Sequence, residues 1–269
     1  MASTAEGRAL TEANRLEQLA VAARAVVVSK ALWGQIDPTD IDRSAERWMP
    51  AQLATFQRFY SESQALTESY LAEYRMAEIG AAVGPVVAPR FPVAEMRNAA
   101  LLAGPVRVKM LIGRGETASS AHAKAFTKFS GIARRQVLDG GRKMIDATTA
   151  SDSRAVGWRR VTDGNPCTFC AMLAGRGPVY QERTAQGDVM RPLRGGGEGL
   201  RYHGHCGCTA EIVYGEWEPS DAERLYQEEY KKAAEQAEAD GQQRTEKTVL
   251  WRMRENGIFR DSPLTRNKQ

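Results

Sequence analysis

The sequence has no apolar run approaching the roughly 18 residues that a membrane-spanning helix requires. Its longest candidate, Ala20 to Ala31, is too short and carries Arg24 and Lys30. A secretory leader is also missing: Met1 to Ala20 alternates charge with Ala and Leu, and no basic segment leads into an apolar one. Synthesis in a reducing cytoplasm is therefore expected. Histidine is scarce, with three residues, and cysteine nearly so, with four. A 269-residue chain that is 42% hydrophobic can bury a stable core without disulfide staples, so the cysteines are not needed as cross-links. The familiar hydrolase signatures are absent as well. No His-Glu-x-x-His marks a zinc protease and no Gly-x-Ser-x-Gly marks a serine hydrolase. Pro166-Cys167-x-x-Cys170 matches half of the zinc-deaminase signature, but the upstream His-x-Glu is missing, because His122 is followed by Ala123 and Lys124. His122 with Ser119 or Ser120 is a conceivable Ser/His pair, although a lone helical histidine is more often a plain surface or core residue.

The few cysteines present are clustered. Cys167, Cys170, Cys206 and Cys208 share one window with His203 and His205, and the rest of the chain has no cysteine. Under reducing conditions such clustering points to metal binding or catalysis before disulfides. A Cys-x-x-Cys turn presents two thiolates to one tetrahedral ion, and a second pair from a distant segment completes the shell. Zn2+ is the cofactor this donor set favours. His203, His205, Cys206 and Cys208 offer more donors than one zinc needs, with His205 and Cys206 together the least favourable choice because neighbours on an extended segment diverge. The role expected for the metal is structural, since Thr162 to Arg201 is rich in Gly and poor in large apolar residues. The catalytic alternative is a cysteine nucleophile, Cys167 or Cys170, with His203 or His205 as base and Asp163 as its orienting group.

Net charge is only +4, but it is unevenly distributed. From Arg107 to Arg160 there are twelve basic residues against four acidic ones, a surplus that fits a polyanion partner. Lys124, Lys128, Arg134, Arg135, Arg142 and Lys143 are the candidate phosphate contacts, on a helix expected to run from a Ser119 or Ser120 cap to about Ala150, with a bend at Gly140-Gly141.

Hydrophobic periodicity predicts further helices. One spans Ser3 to about Ala31, with Leu10, Leu16, Leu19, Ala23, Val26 and Val27 as its apolar stripe. A second, capped by Thr39 or Asp40, reaches Trp48, and Pro50 opens a third through Ala82 whose stripe includes Phe56, Phe59, Tyr60, Tyr70 and Tyr74. A short helix covers Val93 to Ala103, and Val106 to Ile112 fits helix or strand. Val156 to Val161 and Thr209 to Tyr214 read as strands, separated by a Gly- and Pro-rich stretch. Charged helices follow from Ser220 to Asp240 and from Thr245 to Glu255, before a polar tail from Asp261 expected to be disordered. The fold class expected is mainly α with a small α+β C-terminal module, divided into a helical region (1–155), a Cys/His module (156–218) and a charged helical tail (219–269).

Four segments stand in a telling order: Val156-Gly157-Trp158; Asp163-Gly164-x-Pro166-Cys167-x-x-Cys170-Ala171-Met172-Leu173; Gly177-Pro178-Val179-Tyr180; and Tyr202-His203-x-His205-Cys206-x-Cys208-Thr209-Ala210. In these the chain resembles the MuF-like minor head proteins of tailed bacteriophages, in particular the actinobacterial-phage version often labelled a capsid maturation protease. The resemblance is specific over about Val156 to Tyr214, and elsewhere lies only in the order of helices. It implies a zinc-knuckle-like MuF module in a minor capsid component of the phage head, near the portal inside the virion. The implied partners are the portal protein, the major capsid or scaffold protein and double-stranded phage DNA bound without sequence preference, with no membrane involved during assembly. The alternative it carries is a protease that trims capsid or scaffold protein.

Overall fold

The computed structural model describes residues 2–81, 84–178 and 202–263. Val179 and Tyr180 of the third resembling segment, most of the Gly-rich stretch before Arg201 and the last six residues of the polar tail lie outside them. Helix α1 (Ala5–Trp33) starts where the Thr4 hydroxyl accepts the Gly7 amide, and the Glu78 carboxylate accepts the Ser3 and Thr4 amides at 2.8 and 3.0 Å. Helix α2 (Ile41–Ile79) runs unbroken through Pro50, which does not divide it as the sequence reading expected. Helices α3 (Val93–Ala103) and α4 (Pro105–Gly113) follow, so the ambiguous stretch after Gly104 is helical. Helix α5 (Ala118–Ser151) is capped by Thr117, two or three residues earlier than the Ser119 or Ser120 predicted. Its Gly140-Gly141 pair permits close helix contact. A Cβ on Gly140 would stand 2.4 Å from the Tyr60 carbonyl oxygen, and one on Gly141 would stand 2.3 Å from the Thr67 hydroxyl, both on α2. Trp33, Trp48, Phe56, Phe129, Met96 and Val108 fill the core where α3 and α4 cover the long helices.

The buried face of α1 corrects the sequence expectation. Leu16, Ala23 and Val27 are exposed and Leu10, Leu19 and Val26 half-buried, while Thr11, Asn14, Gln18 and Ser29 lie inside. Polar partners explain this inversion. Gln18 donates to the Ser63 carbonyl at 2.9 Å and to the Thr67 hydroxyl at 3.0 Å, and Ser63 donates back to it at 2.6 Å. A satisfied buried amide carries no desolvation penalty of the kind an orphan would.

A second core sits around strands β1 (Gly157–Val161) and β2 (Thr209–Val213), which pair antiparallel with Arg159 opposite Glu211. Helices α6 (Thr168–Ala174), α7 (Asp221–Ala239, started by a Ser220/Glu223 capping box) and α8 (Glu246–Glu255) pack with them. Tyr70, Tyr74, Met144, Trp158, Ile212, Tyr226 and Met253 share this core, so it draws side chains from all three segments that composition had separated. Arg159 lies between two buried carboxylates, 2.6 Å from Glu211 and 2.5 Å from Glu223, and Thr11 of α1 donates to Glu211 at 2.7 Å. Asp261, expected to begin a disordered tail, instead accepts the Thr168 amide at 2.7 Å and the Arg254 guanidinium at 2.9 Å. Among the described residues no helix is long and apolar enough to cross a membrane.

Candidate metal centre

The first cysteine pair lies on a helix start that the sequence reading took for loop. Gly164, at φ 80°, turns the chain, and Cys167 becomes the N-cap of α6, its sulfur accepting the Cys170 amide at 3.5 Å. One helical turn then brings the Cys170 thiol beside it. The second group comes from a tight turn after Tyr202: the Cys206 amide donates to the His203 carbonyl at 3.2 Å, and His205 has φ 64°, an uncommon conformation for a residue with a side chain. His203 Nδ1 lies 2.7 Å from the Gly204 carbonyl, so Nδ1 carries the proton and Nε2 turns to the cysteines.

His203 Nε2 lies 2.8 Å from Cys167 Sγ and 3.6 Å from Cys170 Sγ, and Cys170 Sγ lies 3.5 Å from Cys206 Sγ. Two groups result, Cys167/Cys170/His203 and Cys170/Cys206/Cys208, each with donor atoms within 4.8 Å of one another and sharing Cys170. All four thiols are buried and reduced. With Zn–S bonds of about 2.3 Å, a tetrahedral shell places sulfurs about 3.7 Å apart, close to the separations around Cys170. The groups are close enough to hold a metal ion.

Electrostatics favour the charged form of two of the thiols, Cys167 and Cys206. A hydrogen bond from the Cys170 thiol and the adjacent His203 bring Cys167 down to about 5 despite burial, and contact with Cys167 brings His203 up to about 9. Hydrogen bonds from Cys170 and Cys208, with the Arg142 and Arg160 charges, hold Cys206 far below the usual thiol range. Cys170, which donates to its neighbours, is pushed up.

Two arginines frame this cluster. Both guanidinium carbons stand over the Tyr202 ring, Arg142 at 3.6 Å and Arg160 at 3.7 Å from its centroid, which two groups achieve only from opposite faces. Arg142 also donates to the Cys206 carbonyl at 3.1 Å and to the Cys208 carbonyl at 2.6 Å, and pairs with Asp139 at 3.3 Å. Arg160 Nη1 reaches Cys170 Sγ at 3.7 Å. Sequence reasoning missed Arg160 and Tyr202 as parts of the site. The available signal was a consecutive Arg159-Arg160 pair inside a short strand, where one side chain or the other has to face inward.

His205 is exposed, with Nε2 3.1 Å from the Thr127 carbonyl, and belongs to neither metal-competent group. Arg142 is 2% exposed, so burial and its bonds to the chain's own carbonyls correct its assignment as a phosphate contact. Arg134 is half-buried, with its charge disfavoured by desolvation, and Arg135 stands 3.8 Å from Asp139. Lys143 pairs with Glu95 at 3.3 Å. Lys124 and Lys128 are exposed, and Lys124 is bonded to Glu116. The Ser/His pair does not form: Ser120 donates to Glu116 at 2.7 Å and the His122 ring packs on Trp33.

No curated protein and no solved structure matches the chain. The family described as VG15 protein matches residues 1–233, a span that takes in the helical body and the whole cysteine module, and the chain therefore belongs to this phage-type family.

Proposed function

We propose that the protein is a minor component of the phage head, held inside the virion near the portal, with a zinc ion bracing its cysteine module. The observation that carries this reading is membership of a phage-type family over a span that contains both cysteine groups. The MuF-like resemblance supplies the finer assignment, including portal, capsid or scaffold protein and phage DNA as partners. Cys167, Cys170 and His203 are taken as ligands with Cys206 as the fourth, its sulfur 3.5 Å from that of Cys170, which leaves Cys208 as the one buried thiol outside the shell. Zinc would fix α6 to the turn after Tyr202, a structural contribution with no reaction assigned to it. The exposed Lys124 and Lys128 would meet DNA phosphates without reading sequence.

Co-expression with the portal and capsid proteins tests the assignment. The chain is expected to sediment with assembled heads and to be lost from them when the portal is omitted; free chain in both cases overturns it. Elemental analysis is expected to find one zinc per chain, retained by Cys208→Ser and lost by Cys170→Ser. Full stability without metal would remove the zinc part.

The 2.8 Å Cys167–His203 contact supports a second reading, a thiol nucleophile and its base in a capsid maturation protease. That reading requires shortened capsid chains in the same co-expression, and full-length chains once Cys167→Ala replaces the thiol.

A further inference from the structure

The face of α1 opposite its buried side is apolar and exposed. Ala5, Ala9, Ala13, Leu16, Ala20, Ala23 and Val27 all lie on it, with Leu16 53% and Val27 68% exposed. From Ala9 onward their spacing alternates four and three residues, the repeat of a coiled-coil seam, and from Ala5 the stripe is about 33 Å long at 1.5 Å per residue. Five of the seven are alanines, so a second helix can approach closely.

The charges beside the seam determine what fits it. One flank carries Glu17 followed by Arg24, seven residues apart and each next to a seam residue, so it is acidic in its first half and basic in its second. An identical helix laid antiparallel brings each flank against itself with the order reversed. With Ala20 opposite Ala23 of the second copy, Leu16 meets Val27 and Glu17 lies beside Arg24, each contact occurring twice. The seam and this flank thus select the same register. A parallel copy would instead set Glu12 beside Glu17, like against like.

We infer that α1 is a self-association surface, through which two copies of this chain pair antiparallel about the point between Ala20 and Ala23. Arg24 already bonds Glu62 of its own chain, so in the pair this exposed group is shared rather than newly charged.

Light scattering on the full chain after size exclusion tests this. The expected mass is that of two chains, falling to one in Ala23→Glu with helix content unchanged by circular dichroism. Glu17→Arg is expected to weaken the pair and Glu17→Arg with Arg24→Glu to restore it, a rescue only the antiparallel register provides. A monomeric wild type, a dimer indifferent to Ala23→Glu, or a dimer in which the second charge change rescues nothing overturns the inference.

Discussion

Arg142 contributes bonds to two carbonyls, a carboxylate and a ring face within one buried site, so its replacement tests how far the cluster depends on its surroundings. Arg142→Met is expected to lower zinc affinity about 10- to 100-fold, the usual effect of losing a partner behind the metal ligands, measured by competition with a chromogenic chelator. Arg159→Met leaves Glu211 and Glu223 buried without their shared cation and is expected to cost about 3–5 kcal/mol in urea unfolding. At this scale the spacing of the sequence singled out Cys167, Cys170, Cys206 and Cys208 with both His203 and His205 as candidates, because ligand geometry requires donors close together on turns, but it did not choose between the two histidines. It did not distinguish Arg142 from the other basic residues of α5. A charge count registers how many arginines a stretch holds, whereas facing depends on which carbonyls a distant turn brings to it.

Among the elements, α2 shows where local rules were overridden. Pro50 has no amide to donate into the helix, yet Trp48, Met49, Gln52 and Phe56 are buried on either side of it, and their packing holds the helix continuous. Pro50→Ala is expected to stabilise the protein by roughly 2 kcal/mol, the interior proline penalty less the stiffness lost from the unfolded chain, read as a raised urea midpoint. Most helices and both strands were legible from periodicity. Helix α6 was not, because its seven residues are too few for a period to show and its N-cap is a cysteine rather than Ser, Thr, Asp or Asn. The apolar stripe of α1 was legible too, but not its direction: the polar residues behind it find partners on α2 and β2 that only the folded chain supplies. Chelation of zinc is expected to loosen α6 and the turn after Tyr202, seen as faster thiol labelling, with little loss of helical ellipticity because α1, α2 and α5 have their own core.

Across the whole molecule, buried ion pairs join parts distant in sequence. Arg75 of α2 grips Asp152 at the end of α5 with two bonds, at 3.0 and 3.2 Å. Burial acts to raise the Asp152 carboxyl, but these bonds and the Arg154 amide outweigh it and hold the group below its ordinary value. A carboxylate depressed in the folded state stabilises above its unfolded pKa of about 3.9, and that stability disappears as pH falls through the folded value. Asp152→Asn is therefore expected to melt below wild type at neutral pH, with the gap narrowing under acid, in melting curves recorded across pH. The bond from Asp261 to the first amide of α6 bears on timing. Its partners are 93 residues apart, so on a ribosome adding about 5–20 residues per second, the Thr168 amide is made roughly 5–20 s before its acceptor. The cluster's own partners, Cys167 with His203 and Cys170 with Cys206, are only 36 residues apart, so on the same ribosome its donors are all made well before Asp261, and their assembly does not wait for that contact.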